Sequence, residues 1–307
     1  MDSLQRFAIL CSWGLAAALI TGMLGAYHPL ADSFSHVRLH LVVLALPFVP
    51  LLFLTGAWIN GLALTATVVV SVGLLGQLFG GGAAADVRND DSQRLRIVSL
   101  NLNHVYADAE RVADFIAGAA PDVITLQELS LEPPGVIRRL REEYPHQLIC
   151  RYRSVSGIAV LSRTPFAATG CQNDHRLAWS TVERNGQDVT IASLHLRWPF
   201  PGSQAAQVSG LKDAWPQLGT PLVLTGDFNA APWSHAVQTI ARSSGTRVAP
   251  GLRRSYTWGE NWLGSVLALP LDHVLVTPTL DVTRAALGPH VGSDHLPLIA
   301  DIGLPHF

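Results

Sequence analysis

Six times between residues 99 and 295, an apolar run ends in amide, carboxylate or imidazole side chains. The clusters are Ser99-Leu-Asn-Leu-Asn103, Leu126-Gln-Glu128, Ser193-Leu-His-Leu196, Gly226-Asp-Phe-Asn229, Leu271-Asp-His273 and Gly292-Ser-Asp-His295. A polar residue that follows a buried strand lies at the rim of a sheet. Six rims so far apart in sequence meet in one pocket only if the fold gathers the strand ends. That requirement restricts the chain to a layered sheet architecture. Oxygen and imidazole donors without a usable thiol are the toolkit of hard-cation phosphoester chemistry.

The segments between the clusters agree with such a fold. Residues 94–100 read as a strand. Residues 108–119 carry Val112, Phe115, Ile116 and Ala119 at helical spacing, with Asp108 placed to cap the helix. Residues 122–126 read as a second buried strand, so the region opens on a βαβ unit. Asn185-Gly186 between residues 179–184 and 187–196 predicts a tight hairpin. A helix over 204–218 is broken near Pro216. Strands follow over 221–225, 272–276, 282–287 and 296–302. Strands outnumber helices, and no tandem repeat is visible. Two packed sheets with helices outside account for this order.

Within the clusters, Asp227 and Asn229 are two residues apart, so on an extended chain they face one side. Gly226 permits close backbone approach. Asp272 and Asp294 each precede a histidine, and an imidazole held by a carboxylate serves as base or as transition-state cation. Glu128 at the mouth of a buried strand calls for a cation or donors. His195 ends another strand. Each of these alone also fits a polar turn, a surface acid or a satisfied core histidine. Their order does not.

In this order the chain resembles the endonuclease/exonuclease/phosphatase superfamily, which includes DNase I-like nucleases, inositol polyphosphate phosphatases and neutral sphingomyelinases. The match covers about residues 94–302, with Ser255-Tyr-Thr-Trp258 ahead of Asp272 adding to it. The resemblance implies a four-layer α/β/β/α sandwich and Mg²⁺-dependent phosphoester hydrolysis, with Mn²⁺ as a substitute. It makes Glu128 the main metal ligand, with Asn101 and Asp294 near the metal. Asp227 then positions or deprotonates the attacking water, and Asn229 holds a phosphate oxygen. His295, oriented by Asp272, stabilises phosphorane charge or handles a proton, and His195 is a second phosphate contact or general acid. Many abasic-site nucleases of the group carry an acid two residues after the opening Asn. Here that position is Asn103, which weakens a DNA-repair reading and leaves a substrate contact there.

The first part of the chain is different in kind. Asp2, Arg6, Asp32 and Arg38 are the only charged side chains before Asp86. Residues 7–26, 41–59 and 61–80 are uncharged, mostly apolar runs, each long enough to span a bilayer as a helix. They define an expected transmembrane region over 1–80, a Gly- and Ala-rich linker over 81–93 and a catalytic domain over 94–307. Arg6 lies on one side of the expected spans and Arg38 and Arg88 on the other, so the positive-inside count specifies orientation weakly and against an external domain. The part from residue 86 onward holds 19 of the 21 basic and 21 of the 23 acidic side chains. It has no basic excess, unlike a non-specific nucleic-acid binder. Cys150 and Cys171 read as two buried thiols, with pairing as the alternative in an oxidising compartment.

Six of the eight tryptophans also fall in this second part. Trp198, Trp233 and Trp258 stand close to the catalytic clusters and predict an aromatic rim for an amphiphilic substrate; core packing is the plain alternative. Three spans followed by this kind of domain are similar in layout to the VanJ-like membrane phosphoesterases of teicoplanin resistance. That likeness implies an integral membrane protein of a bacterial-type cell membrane. Its extracytoplasmic domain would act on a polyprenyl-linked phosphate or pyrophosphate. A membrane-anchored nuclease with nucleic acid as partner, and a non-catalytic binding protein of the same fold, are the alternatives. No protein partner is inferable.

Overall fold

The computed structural model describes residues 3–76, 94–104, 107–131, 135–153 and 156–305. Five helices come first: α1 (Ser3–Met23), α2 (Pro29–His36), α3 (Arg38–Ala45), α4 (Phe48–Leu54) and α5 (Trp58–Gly73). Then follow β1 (Arg94–His104), α6 (Ala109–Ala119), β2 (Val123–Ser130), α7 (Gly135–Arg139), β3 (His146–Arg151), β4 (Ser156–Ser162), β5 (Phe166–Gln172), β6 (Leu177–Arg184) and β7 (Gln187–His195). The chain closes with α8 (Gln204–Leu211), β8 (Leu222–Asp227), α9 (His235–Ser243), β9 (Arg247–Val248), α10 (Trp262–Leu267), β10 (Asp272–Val276), β11 (Asp281–Leu287) and β12 (Leu298–Gly303).

The strands form two six-stranded mixed sheets, ordered β11-β12-β1-β2-β4-β3 and β5-β6-β7-β8-β10-β9. Ile97, Val160, Ile191, Val223 and Val274 point between the sheets and make the central core. Alternate residues of the same strands point outward. Val98, Leu100 and Ile124 pack under α6 and α7, and Leu194, Leu224 and Leu275 under α8 and α9. The four layers expected from the sequence are therefore present. The opening βαβ unit is also present, with β1 and β2 parallel and Asp108 Oδ1 accepting from the amides of Glu110 and Arg111 at 2.9 and 3.3 Å. At the β6–β7 hairpin Asn185 and Gly186 both take positive φ, 53° and 77°, as a two-residue turn of this type requires. The helix expected over 204–218 ends at Leu211, and a 3₁₀ turn at Trp215–Gln217 takes up the proline.

Cys150 on β3 and Cys171 on β5 form a disulfide, Cα–Cα 5.6 Å, which corrects the reading of two free thiols. β3 and β5 are edge strands of different sheets, so the bridge clips one sheet to the other. Edge-to-edge proximity of this kind is invisible in a linear sequence.

The apolar N-terminal part also departs from expectation. α1 spans 21 residues and is the one described helix long and apolar enough to cross a membrane by itself. Only 28% of its apolar window is buried, less than a core helix would bury, although a signal sequence near an N-terminus has the same length and composition. The run at 41–59 is not one helix. α3 ends at Ala45, Pro47 caps α4, and Arg38–Leu54 is bent by 61° against α2, so these helices make a span only as a broken one. Pro47 and Pro50 lack the amide hydrogens that an unbroken helix would use. The run at 61–80 yields α5, 16 residues long; residues 77–80 and the expected linker 81–93 lie outside the described residues.

These helices are fastened to the sheet domain. Asp32 on α2 accepts from the amides of His235 and Ala236, at 2.8 and 3.0 Å, in the first turn of α9. Ser234 accepts from Val237 N at 3.2 Å, so three of the amides that a helix leaves unpaired at its start are satisfied. Trp233 Nε1 donates to Ser35 O at 2.6 Å, and His40 Nε2 lies 3.1 Å from Val266 O on α10.

Candidate active site

The two parallel pairs, β1–β2 and β7–β8, bring four of the six polar strand ends together. Asn101, Glu128, His195 and Asp227 close β1, β2, β7 and β8. β10 begins at Asp272, paired with Asp227 at the same rim. Below the rim the inner faces are joined by polar contacts between sheets: Thr125 Oγ1 to Thr225 Oγ1 at 2.8 Å, and Gln127 Nε2 to Ser193 Oγ at 2.9 Å.

Asp227 is the hub. Its Oδ1 accepts from Asn229 N at 2.7 Å, and its Oδ2 from Asn101 Nδ2 at 3.0 Å and Asn229 Nδ2 at 3.1 Å. This turn needs the preceding glycine. Gly226 has φ 139°, and a Cβ there would lie 2.0 Å from Leu194 O on the adjacent parallel strand. Asn229 takes φ 45° and also donates from Nδ2 to Leu196 O at 2.8 Å. Burial pushes the Asp227 carboxyl up to about 7; the positive His295 and the donors from Asn229 and Asn101 oppose that rise, and negative Asp272 adds to it. A carboxylate poised near neutrality suits proton abstraction from water.

His295 Nδ1 is 2.7 Å from Asp272 Oδ2, and its Nε2 is 3.8 Å from Asp227 Oδ2. Burial alone would lower this imidazole, but Asp272 and Asp227 outweigh it and push it up to about 10. His295 is therefore an imidazolium at neutral pH. His195 has the opposite character. Burial first, then positive Arg176, holds it well below its ordinary value, so it is neutral. Its Nε2 lies 3.4 Å from Glu128 Oε1, 3.3 Å from Asn229 Nδ2 and 3.6 Å from Asp227 Oδ2. Two histidines in one site thus occupy different protonation states, because both are buried but one has the Asp272 carboxylate at Nδ1 and the other lies near positive Arg176, with the Tyr152 hydroxyl 3.4 Å from its Nδ1.

Glu128 takes φ 49° and turns its carboxylate between His195 and His104, whose Nε2 lies 3.1 Å from Oε2. Asp294 is half-buried beyond Ser293, whose Oγ donates to Asn101 O at 2.7 Å, tying the last cluster to the first. Asn103 is held at φ 46° with its amide donating to Asn101 Oδ1 at 2.9 Å. The donors facing this space are carboxylate and amide oxygens, with imidazole, a set that fits a hard divalent cation. Among the described residues, Asp227, Asp272 and His295 also place one donor atom each within 4.8 Å of the others, although His295 has no lone pair for a cation while it is protonated.

The aromatic rim is formed in part. Tyr256 packs on His295, ring centroids 5.1 Å apart, and carries Trp258 at 5.4 Å and Trp198 at 6.4 Å. Trp198 and Trp258 are 51% and 60% exposed, so they are available to a ligand. Trp233 does not belong with them. It is 6% exposed and its indole is consumed by Ser35, because the turn after Asn229 directs it toward the N-terminal helices. His104 and Tyr152 line the site without being singled out in the sequence, and Tyr256 stood there only as a member of the Ser255–Trp258 motif. His104 had a signal, as the next residue of the first polar cluster, whereas Tyr152 comes from the end of an unremarkable edge strand.

Residues 98–295 match the model of the Endonuclease/Exonuclease/phosphatase family. Among curated proteins no significant sequence match is found. Among solved structures, the chain is similar to an endonuclease/exonuclease/phosphatase from Beutenbergia cavernae, with 22% identity over 69% of this chain and 72% of that one, TM-score 0.53. One from Bacteroides vulgatus has 18% identity over 69% and 99%, TM-score 0.57. A humanised Danio rerio TDP2 has 16% identity over 69% and 99%, TM-score 0.55.

Proposed function

Because the chain belongs to the endonuclease/exonuclease/phosphatase family, we propose that it is a membrane-anchored, Mg²⁺-dependent phosphoester hydrolase acting on a lipid-linked phosphate or diphosphate. The observation that carries the hydrolytic part is the pairing of the buried Asp227 carboxyl with the His295 ring held by Asp272, 3.8 Å away. Asp227 takes a proton from water and, with Asn101 and Asn229 fixing its oxygens, holds the nucleophile in one direction. His295 offers its Nε2 proton and its charge to the phosphoryl oxygens as negative charge grows on them. Neutral His195 and the Asn229 amide contact the same group. A divalent ion held by Glu128, with Asn101 and Asp294 beside it, would supply Lewis-acid polarisation of a phosphoryl oxygen.

The lipid part is supported by where apolar surface is exposed. Trp198, Phe200, Trp258, Trp262, Leu263 and Val266 are between 49% and 77% exposed near the site. α10, which carries three of them, touches His40 of the N-terminal helices. Exposed apolar side chains on the pocket rim and on a helix that contacts the N-terminal part suit a substrate whose tail stays in a bilayer. The Cys150–Cys171 bridge supports an oxidising, extracytoplasmic location. The nuclease reading has less support, since the region beyond residue 86 has no basic excess.

The test is a paired assay of the purified full chain with Mg²⁺ on undecaprenyl diphosphate and on plasmid DNA. Phosphate release that EDTA abolishes, without nicking of DNA, is the expected result. Nicking without phosphate release would overturn the lipid reading.

A further inference from the structure

Three arginines stand beside the catalytic cluster, with Glu128 the one carboxylate among the described residues that lines the same cavity. Arg153, Arg176 and Arg197 line one cavity of about 500 Å³ together with Glu128, His195 and Asn229. Among the described residues none of the three forms an ion pair. Each is supplied by a different segment: the chain after β3, the turn between β5 and β6, and the chain after β7.

The placement of Arg176 and Arg197 is built, not incidental. Arg176 is held at φ 49°, its carbonyl accepts the His195 amide at 3.1 Å, and its guanidinium lies 4.9 Å from the Tyr152 ring centroid. Tyr152 in turn touches His195, and Arg197 Nη2 donates to Asp174 O at 2.9 Å in the turn that carries Arg176. The three charges also act on each other. Burial first, and then Arg153 and Arg197, pull Arg176 below its ordinary value, with Glu128 and Tyr152 opposing. Holding several cations together is costly unless an anion joins them. A single phosphoryl group is already served by Asn229, His195 and His295. The volume lies in the range of sites that hold a whole small ligand.

We propose that Arg153, Arg176 and Arg197 form a second phosphate subsite, so that the substrate is a diphosphate ester, not a monophosphate. This rests on the hydrolase reading above and sharpens its substrate class. The terminal phosphoryl group occupies the catalytic cluster, and the ester-bearing phosphate sits against the arginines. Water adds its oxygen to the terminal phosphorus and its proton goes to Asp227. The bond from that phosphorus to the bridging oxygen breaks, and its electron pair stays with the ester-bearing phosphate. The products are inorganic phosphate and a phosphomonoester, and the arginines neutralise the charge that accumulates on the leaving group.

The experiment compares the full chain with Arg153→Gln/Arg197→Gln and, since Arg176 packs on Tyr152, with Arg176→Lys as a variant that keeps the stack. Thermal unfolding verifies that each is folded. With Mg²⁺ and detergent, kcat/KM is measured for geranylgeranyl diphosphate and for bis(p-nitrophenyl) phosphate. The double variant is expected to lower the ratio of the two at least tenfold, mainly through KM for the diphosphate. A constant ratio overturns the proposal. Calorimetric titration with inorganic pyrophosphate and inorganic phosphate reads the subsite without turnover. Pyrophosphate should bind at least tenfold tighter to the parent protein and lose that preference in the double variant, whereas equal affinities in the parent overturn it. Pyrophosphate preference without hydrolysis of any lipid would sink the lipid reading and leave the subsite standing. Arginine-dependent cleavage of a single-stranded oligonucleotide, with no diphosphate preference, would assign the arginines to nucleic acid instead.

Discussion

Asp227 accepts three hydrogen bonds from Asn101 and Asn229 and has nearly no exposure, and in the proposed mechanism it is the base. Asp227→Asn keeps the shape and removes the base. We expect kcat on bis(p-nitrophenyl) phosphate to fall on the order of 10³-fold with the unfolding temperature kept or raised, since a buried acid is replaced by a neutral amide. A pH effect belongs to the same residues. The His295 imidazolium is pushed from its ordinary 6.5 to about 10 in the folded protein, so the folded state holds its proton more tightly than the unfolded chain. Its stabilisation is complete below pH 6.5 and is lost as pH rises toward 10. Asp227, raised from 3.8 to about 7, works in the same direction at lower pH. Thermal unfolding in EDTA should therefore show stability falling from pH 6.5 to 10, and Asp272→Asn should flatten that limb. A rise over the same range would refute the assignment. Most of these residues were legible in the sequence because each follows an apolar run and carries a chemically specific group. What was not legible is that His195 is neutral and His295 charged. That difference comes from Asp272 lying at one buried ring and Arg176 near the other.

At the level of elements, the site depends on two parallel strands approaching closely at Gly226. Gly226→Ala places a methyl carbon 2.0 Å from Leu194 O and imposes a β-carbon on a φ of 139°. The expected loss is about 3 kcal/mol in chemical denaturation, with activity lost alongside. The bridge between β3 and β5 makes a separate contribution. It closes a loop over a sequence separation of 21, and its reduction is expected to cost about 3 kcal/mol in the same measurement. The βαβ opening, the Asn185-Gly186 hairpin and the strand at 272–276 were visible from alternation, capping and turn chemistry, all local signals. The edge strands β3 and β5 carry weak patterns, because exposed edges need no apolar alternation. The disulfide follows from which edges end up neighbours, so it could not be read from Cys spacing. The long apolar run at 41–59 misled for a related reason: hydropathy counts residues, whereas Pro47 and Pro50 decide where helix hydrogen bonds stop.

Across the whole molecule, the N-terminal helices and the sheet domain meet through Asp32, Trp233 and His40. Asp32→Ala removes two acceptors from the start of α9. We expect a loss of about 1–2 kcal/mol and faster hydrogen exchange at the His235 and Ala236 amides, with exchange in β1 and β2 unaffected. Equal acceleration throughout would mean that Asp32 supports the whole fold and not this junction. The apolar surface beside the site also acts at this scale. Trp262→Glu should weaken sedimentation of the protein domain with phosphatidylglycerol vesicles more than it alters turnover of a water-soluble diester. By itself the sequence determined the kind of chemistry, the order of the polar strand ends, the two layers of strands and the split between a charge-poor and a charged part. These follow from periodicity and residue type, which are properties of the chain. Only the tertiary structure decided that Trp233 braces the helices instead of the pocket. It also decided that the two cysteines meet, that His104 and Tyr152 complete the site, and that three arginines share one cavity with Glu128. Those facts depend on distances between segments far apart in sequence, and such distances are set when the sheets pack and twist against each other.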